Sequence, residues 1–216
     1  MRFNSASDQG RIPAEILSQN RHESYFQTYF QWLDSTQPDD PSARQVTIVA
    51  RSPASPVIQA MRAVAAEFAA RQVTVQSIFS DVDPEKALIL AWEVISDLSQ
   101  GREHSGLIRW ARAPGILEAH EQMVLGSSMC WLGDAMRREP GRRDGFDLFD
   151  TDAPEKCSLG AQSFAAIWNF ATPIPKWMLR RAEKRHSSAS FAGPDPRALA
   201  TLSFFRQLEK PDTVCH

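Results

Sequence analysis

The stretch Leu117-Glu118-Ala119-His120-Glu121-Gln122-Met123-Val124-Leu125 decides how this chain is read. Taken as a β-strand, its period of two puts Glu118, His120 and Gln122 on one face. Leu117, Ala119, Met123 and Leu125 point the other way, with Glu121 the exception among them. A histidine flanked by a carboxylate and an amide is a candidate base or nucleophile site. The plainer reading is a half-buried histidine whose hydrogen bonds are satisfied. Gly126-Ser127-Ser128 then forms a tight connection into a second strand at 129–132.

Upstream, residues 46–50 are short, apolar and β-branched, the pattern of a buried strand. Arg51 to Ser55 is a loop, after which Ser55 serves as N-cap and Pro56 as first residue of one helix. Its inner face is Ile58, Met61, Val64, Ala65 and Phe68. A second strand spans 73–79, and Asp83-Pro84 opens a helix with Leu88, Ala91, Trp92 and Ile95 as its stripe. Strand, helix, strand, helix argues for a parallel pair in an α/β sheet. Residues 107–113 alternate weakly, Pro114-Gly115 marks a turn, and a strand is expected over 116–125. Downstream, 137–143 is a basic loop, 146–149 a short strand, and 158–171 a helix turning Phe164, Ile167, Trp168 and Ala171 inward.

The ends complete the division. The first dozen residues look unstructured. Asn20 and Glu23 have capping-box spacing and start a helix with Tyr25, Phe26, Tyr29, Phe30 and Leu33 on one side. Residues 37–42 form a loop. Beyond Pro173 the chain is basic, then Ser/Gly/Pro-rich at 187–194. Asp195-Pro196 opens a last helix, carrying Leu199, Leu202, Phe205 and Leu208, that acts as a docking element or an interaction arm. Residues 1–45 thus read as a tail and helix packing on the core, 46–172 as the α/β core, and 173–216 as a basic extension.

Composition narrows the classes. With 216 residues and 43% hydrophobic content, the chain suits one domain with a sizeable core. The net charge of −2 gives no overall field for nucleic acid or anionic membrane. No apolar run is long enough to span a membrane, and no secretory leader is visible. The three cysteines, Cys130, Cys157 and Cys215, are odd in number and in no CxxC pairing, which fits free thiols and a cytoplasmic setting.

The order of elements, with His120, Gly133 and the Phe164–Trp168 spacing, resembles the phospholipase D superfamily over 46–171. That family's signature is H-x-K, four residues, Asp, and later G-S-x-N. Its half-domain runs strand-helix-strand-helix, then antiparallel strands bearing the motif, then a helix with F-x-x-x-W. The resemblance implies a mixed sheet flanked by helices, here with additional terminal helices. It departs at the chemistry. Gln122 stands where the family has the phosphate-binding lysine, Ser127 where it has aspartate, and Met136 where it has asparagine, and Gly133 comes one residue early. The family forms a phosphohistidine, and losing one positioned donor alone costs roughly a hundred- to a thousandfold in rate. The resemblance therefore implies a catalytically dead copy. Family members with one motif pair two identical chains, so it also implies a homodimer with two His120 residues near the axis.

Three functional classes follow. The first is a non-catalytic binding or assembly module. The second is a residual phosphodiesterase or nuclease using His120, with Glu118 and Gln122 beside it. The third is a small-molecule or anion binder at Arg51, Ser52 and Ser55, where a strand runs into a helix N-terminus. A phosphate-containing ligand or a nucleic acid would meet Arg137, Arg138, Arg142, Arg143, Lys176, Arg180 and Arg181, with Trp177 among them. Acidic residues interrupt those clusters and disfavour nucleic acid. No metal or cofactor is expected: the five histidines make no close pair and no H-E-x-x-H.

Overall fold

The computed structural model describes residues 14–80, 87–99, 107–137 and 146–174. The first helix, α1 (Ala14–Thr36), is followed by a 3-10 turn (Pro41–Arg44) and β1 (Gln45–Ala50). Then come α2 (Pro56–Ala63), α3 (Ala65–Ala70), β2 (Thr74–Phe79), α4 (Ala87–Ser99) and β3 (Ile108–Trp110). The second half holds a 3-10 turn (Pro114–Glu118), β4 (His120–Leu125), β5 (Met129–Ala135), β6 (Leu148–Asp150), α5 (Pro154–Phe170) and β7 (Thr172–Pro173).

The strands make one mixed sheet in the order β6-β5-β4-β1-β2-β3-β7. β1, β2 and β3 are parallel, as the alternation of strands and helices requires, while β4 runs antiparallel to β1 and continues into the β4–β5 hairpin. A mixed sheet flanked by helices is therefore the architecture of the chain.

Alternation along β1 separates two unequal cores. Val46, Ile48 and Ala50 belong with Phe26, Phe30, Ile58, Met61 and Phe68 in the larger cluster. Val49 joins Ile78, Phe164 and Met136 in the smaller. Helices α1 to α4 thus cover one face and α5 covers the other. The burial of Phe26, Tyr29, Phe30 and Leu33 confirms the inner side of α1, although Asn20 is not its cap. The helix begins before it, and the Asn20 side chain is exposed.

The single helix expected after Ser55 is two. Val64, at φ −106 and ψ 17, leaves helical geometry, so α3 starts a new segment while Val64, Ala65 and Phe68 stay buried. Gly126 makes the hairpin possible. Its φ is +61 and a Cβ there would lie 2.8 Å from the Ala43 carbonyl oxygen, so any side chain is excluded. Gly160 lets α5 close on the sheet, since a Cβ would meet Val124 at 2.8 Å. The expected last helix, and Asp83-Pro84, lie outside the described residues.

His22 on α1 is buried and packs edge-on against Tyr25 and Trp131. Burial lowers its pKa to about 4, with Asp147 opposing in part. The unfolded chain therefore takes up the proton first as pH falls. Stability present above pH ~6.5 should decline by about 3 kcal/mol on the way down to pH ~4, then level off. Urea unfolding at a series of pH values checks this, and His22→Asn should remove most of that slope.

Candidate functional site

β4 begins where β1 ends, because Gln122 pairs with Val49 in the antiparallel register. His120 therefore stands at the carboxyl end of the parallel strands, the usual location of binding crevices in open α/β sheets. A register shift between His120 and Gln122 brings His120 opposite Ala135. The imidazole is exposed, and its Nδ1 lies 2.6 Å from the Gly133 carbonyl oxygen. A carbonyl only accepts, so Nδ1 carries the proton and donates, which leaves Nε2 as the basic nitrogen. Phe146 lies alongside, with ring centroids 5.7 Å apart. Gln122 shares its face with Val49, toward α5, and is half-buried.

Glu118 does not belong to this strand. Pro114 starts a 3-10 turn that ends at Glu118, and Ala119 donates to the Ile116 carbonyl at 3.0 Å. That turn breaks the alternation expected from 116, so Glu118 is not set beside His120 and Gln122 along one strand. Its carboxylate is exposed and pairs with Arg137 at 2.8 Å. Arg137 is accordingly held in an ion pair, and Arg138, Arg142, Arg143, Lys176, Arg180 and Arg181 lie outside the described residues.

The residue that sequence reasoning passed over is Glu121. It is 6% exposed, on the opposite face of β4 from Gln122. Its Oε1 accepts from the Arg51 backbone N–H at 2.9 Å and from the Ser55 hydroxyl at 2.7 Å. Ser55 is the N-cap position of α2, with Pro56 after it as expected, yet its side chain makes no cap hydrogen bond to the helix. It serves Glu121 instead. The Ser52 N–H meets the Ser55 hydroxyl at 3.3 Å, and Ser80 donates to the Arg51 carbonyl at 3.1 Å. The Arg51 N–H and Ser55 hydroxyl of the loop expected to bind an anion are thus engaged by the chain's own Glu121 side chain, where helix-end dipoles favour negative charge. The available signal was the lone acid at an inward position of an apolar strand.

Two further groups matter for chemistry. The Cys130 and Cys157 thiols are free and hydrogen-bond to each other between β5 and α5. Burial, reinforced for Cys157 by its neighbour, raises both, Cys157 to about 12, so Cys157 supplies no thiolate at neutral pH. Asp147 accepts from Trp131 Nε1 at 2.5 Å, from the Tyr25 hydroxyl at 3.2 Å and from Arg21. Burial alone would raise its pKa, but the bonds from Arg21 and Trp131 outweigh it and hold the carboxyl below its ordinary value. That cluster ties α1 to the sheet edge. Among the described residues, no group of three or more His, Cys, Asp or Glu side chains could hold a metal ion, and no helix is long and apolar enough to cross a membrane.

No family model matches the chain, and no curated protein matches it. Among solved structures it is similar to a phospholipase D family member, Nuc from Salmonella typhimurium. The identity is 11%, the TM-score 0.43, and the match covers 74% of this chain and 90% of that one.

The contrast between the two glutamates is measurable. Glu121→Ala leaves a buried hydroxyl and a backbone N–H without their acceptor and should cost about 2–3 kcal/mol, a fall of several degrees in Tm. Glu118→Ala breaks only an exposed pair and should shift Tm by about a degree or less. Thermal denaturation of both variants beside the wild type provides the check.

Proposed function

We propose that this chain is a non-catalytic, phospholipase-D-like binding or assembly module. It works as a homodimer whose His120 ends lie near the two-fold axis. One observation supports this reading above the others. Gln122, the neighbour of His120 that matches the position of the family's lysine, is a half-buried neutral amide. An amide donates a hydrogen bond but brings no charge to a phosphoryl group in its transition state. The exposed carboxylate of Glu118 is already matched by Arg137, so that pair adds no net positive charge near the strand's start. Nucleic acid is disfavoured for the same reason, since the Arg137 guanidinium is held by a carboxylate.

A second reading has its own support. The bond from Nδ1 to Gly133 fixes the ring with Nε2 as the basic nitrogen, the form that a residual phosphodiesterase would use as nucleophile. One assay separates the two. Wild type and His120→Ala are incubated with bis(p-nitrophenyl) phosphate, and release of p-nitrophenolate is followed. The module reading expects both to stay at the buffer rate. Turnover by the wild type that His120→Ala abolishes would replace it with the enzyme reading. For the dimer, light scattering should give twice the chain mass, and a monomer at micromolar concentration would overturn the paired arrangement.

A further inference from the structure

We propose a second binding site, independent of His120, in the cleft between α5 and the opposite end of the sheet. Its ligand is an uncharged aromatic molecule with a hydrogen-bonding edge, in the chemical class of aryl amines and aryl amides.

The cleft follows from the uneven layering. A single helix covers this face, and it approaches most closely along Cys157, Gly160 and Phe164, where the residues are buried or in tight contact. On the flank of that contact, Ala161 and Ala165 are too small to reach β1, and an open cavity of about 520 Å³ remains. That volume lies within the range of small-molecule sites, roughly 300–1,000 Å³. Val124, Phe164 and Trp168 form its apolar wall, with Phe164 and Trp168 stacked at 5.3 Å.

Its polar groups are neutral. Thr47, on the α5 side of β1, lines the cleft and is 7% exposed, and its hydroxyl has no hydrogen-bond partner among the described residues. A buried hydroxyl left unpaired is a cost to the fold, so a ligand group that meets it gains what the fold forgoes. Gln45 and Gln76, joined by a hydrogen bond of 3.1 Å from Gln45 Nε2 to Gln76 Oε1, stand at the same end. None of the residues lining the cleft is charged. An ionic ligand would lose its hydration there without a counter-charge, whereas a neutral ring with one donor or acceptor matches both the wall and Thr47.

The test uses the full chain and the neutral dye N-phenyl-1-naphthylamine, whose single N–H can reach Thr47. Titration should give saturable, one-to-one enhancement of dye fluorescence with energy transfer from tryptophan. Ala161→Trp fills the cleft from an exposed position and should weaken uptake at least about tenfold. Ala165→Phe, one turn further on, is the substitute where Ala161→Trp fails to fold. Thr47→Val should weaken uptake about fivefold, the effect of one neutral hydrogen bond. Non-saturable uptake by the wild type, or affinity unchanged in the filled variants with circular dichroism intact, would overturn the site. Affinity unchanged in Thr47→Val would overturn the assigned polar edge.

Discussion

The arrangement of this molecule depends on one buried carboxylate. Glu121 bonds the Arg51 N–H and the Ser55 hydroxyl, tying the antiparallel strand β4 to the turn by which the parallel unit passes from β1 into α2. A one-residue slip of β4 would exchange its two faces. It would move Glu121 out of that turn and send Met123 and Leu125, both fully buried, toward α5. The tie and the apolar pattern therefore demand the same register. With Glu121 inward, Gln122 must face α5, and His120 is left at the strand's exposed start.

From that register the two sides of the sheet acquire different roles. One side is sealed by four helices around Ile48, Ile58 and Phe68, with the buried His22 and the internal bond of Glu121 among its polar groups. The other side is thinly covered. It holds Gln122, the stacked pair Phe164–Trp168 and the unpartnered Thr47, and a helix on which Leu159 and Phe170 remain 64% and 89% exposed. Binding capacity accumulates where packing is incomplete, because polar groups and apolar walls there are not already consumed by the fold.

Much of this was legible beforehand. The β-branched run in β1, the second strand, the Ser55-Pro56 start of α2 and the Gly126 turn are local signals whose cause lies within a few residues, and the structure keeps them. The misreadings were non-local or involved competing local patterns. The Asn20/Glu23 spacing imitates a cap inside a helix that continues upstream, where Gln19 and Glu23 bond across one turn at 2.9 Å. Pro114 imposes a 3-10 turn that removes Glu118 from the strand. Glu121 looked like an error in an apolar face because its partners lie 66 and 70 positions away, and nothing in a single strand's alternation announces them. The neutral residue at 122 was legible as chemistry from the sequence, and the structure adds only that it is half-buried on the α5 side.

The tie between β4 and the α2 turn is tested most directly by a double-mutant cycle. Glu121→Ala, Ser55→Ala and the double variant are unfolded by urea beside the wild type. If the carboxylate and the hydroxyl act as one unit, the two single costs should exceed the double cost by about 1 kcal/mol or more. Costs that add to within about 0.5 kcal/mol would show the two side chains to be independent, and the register of β4 would then rest on its apolar face alone.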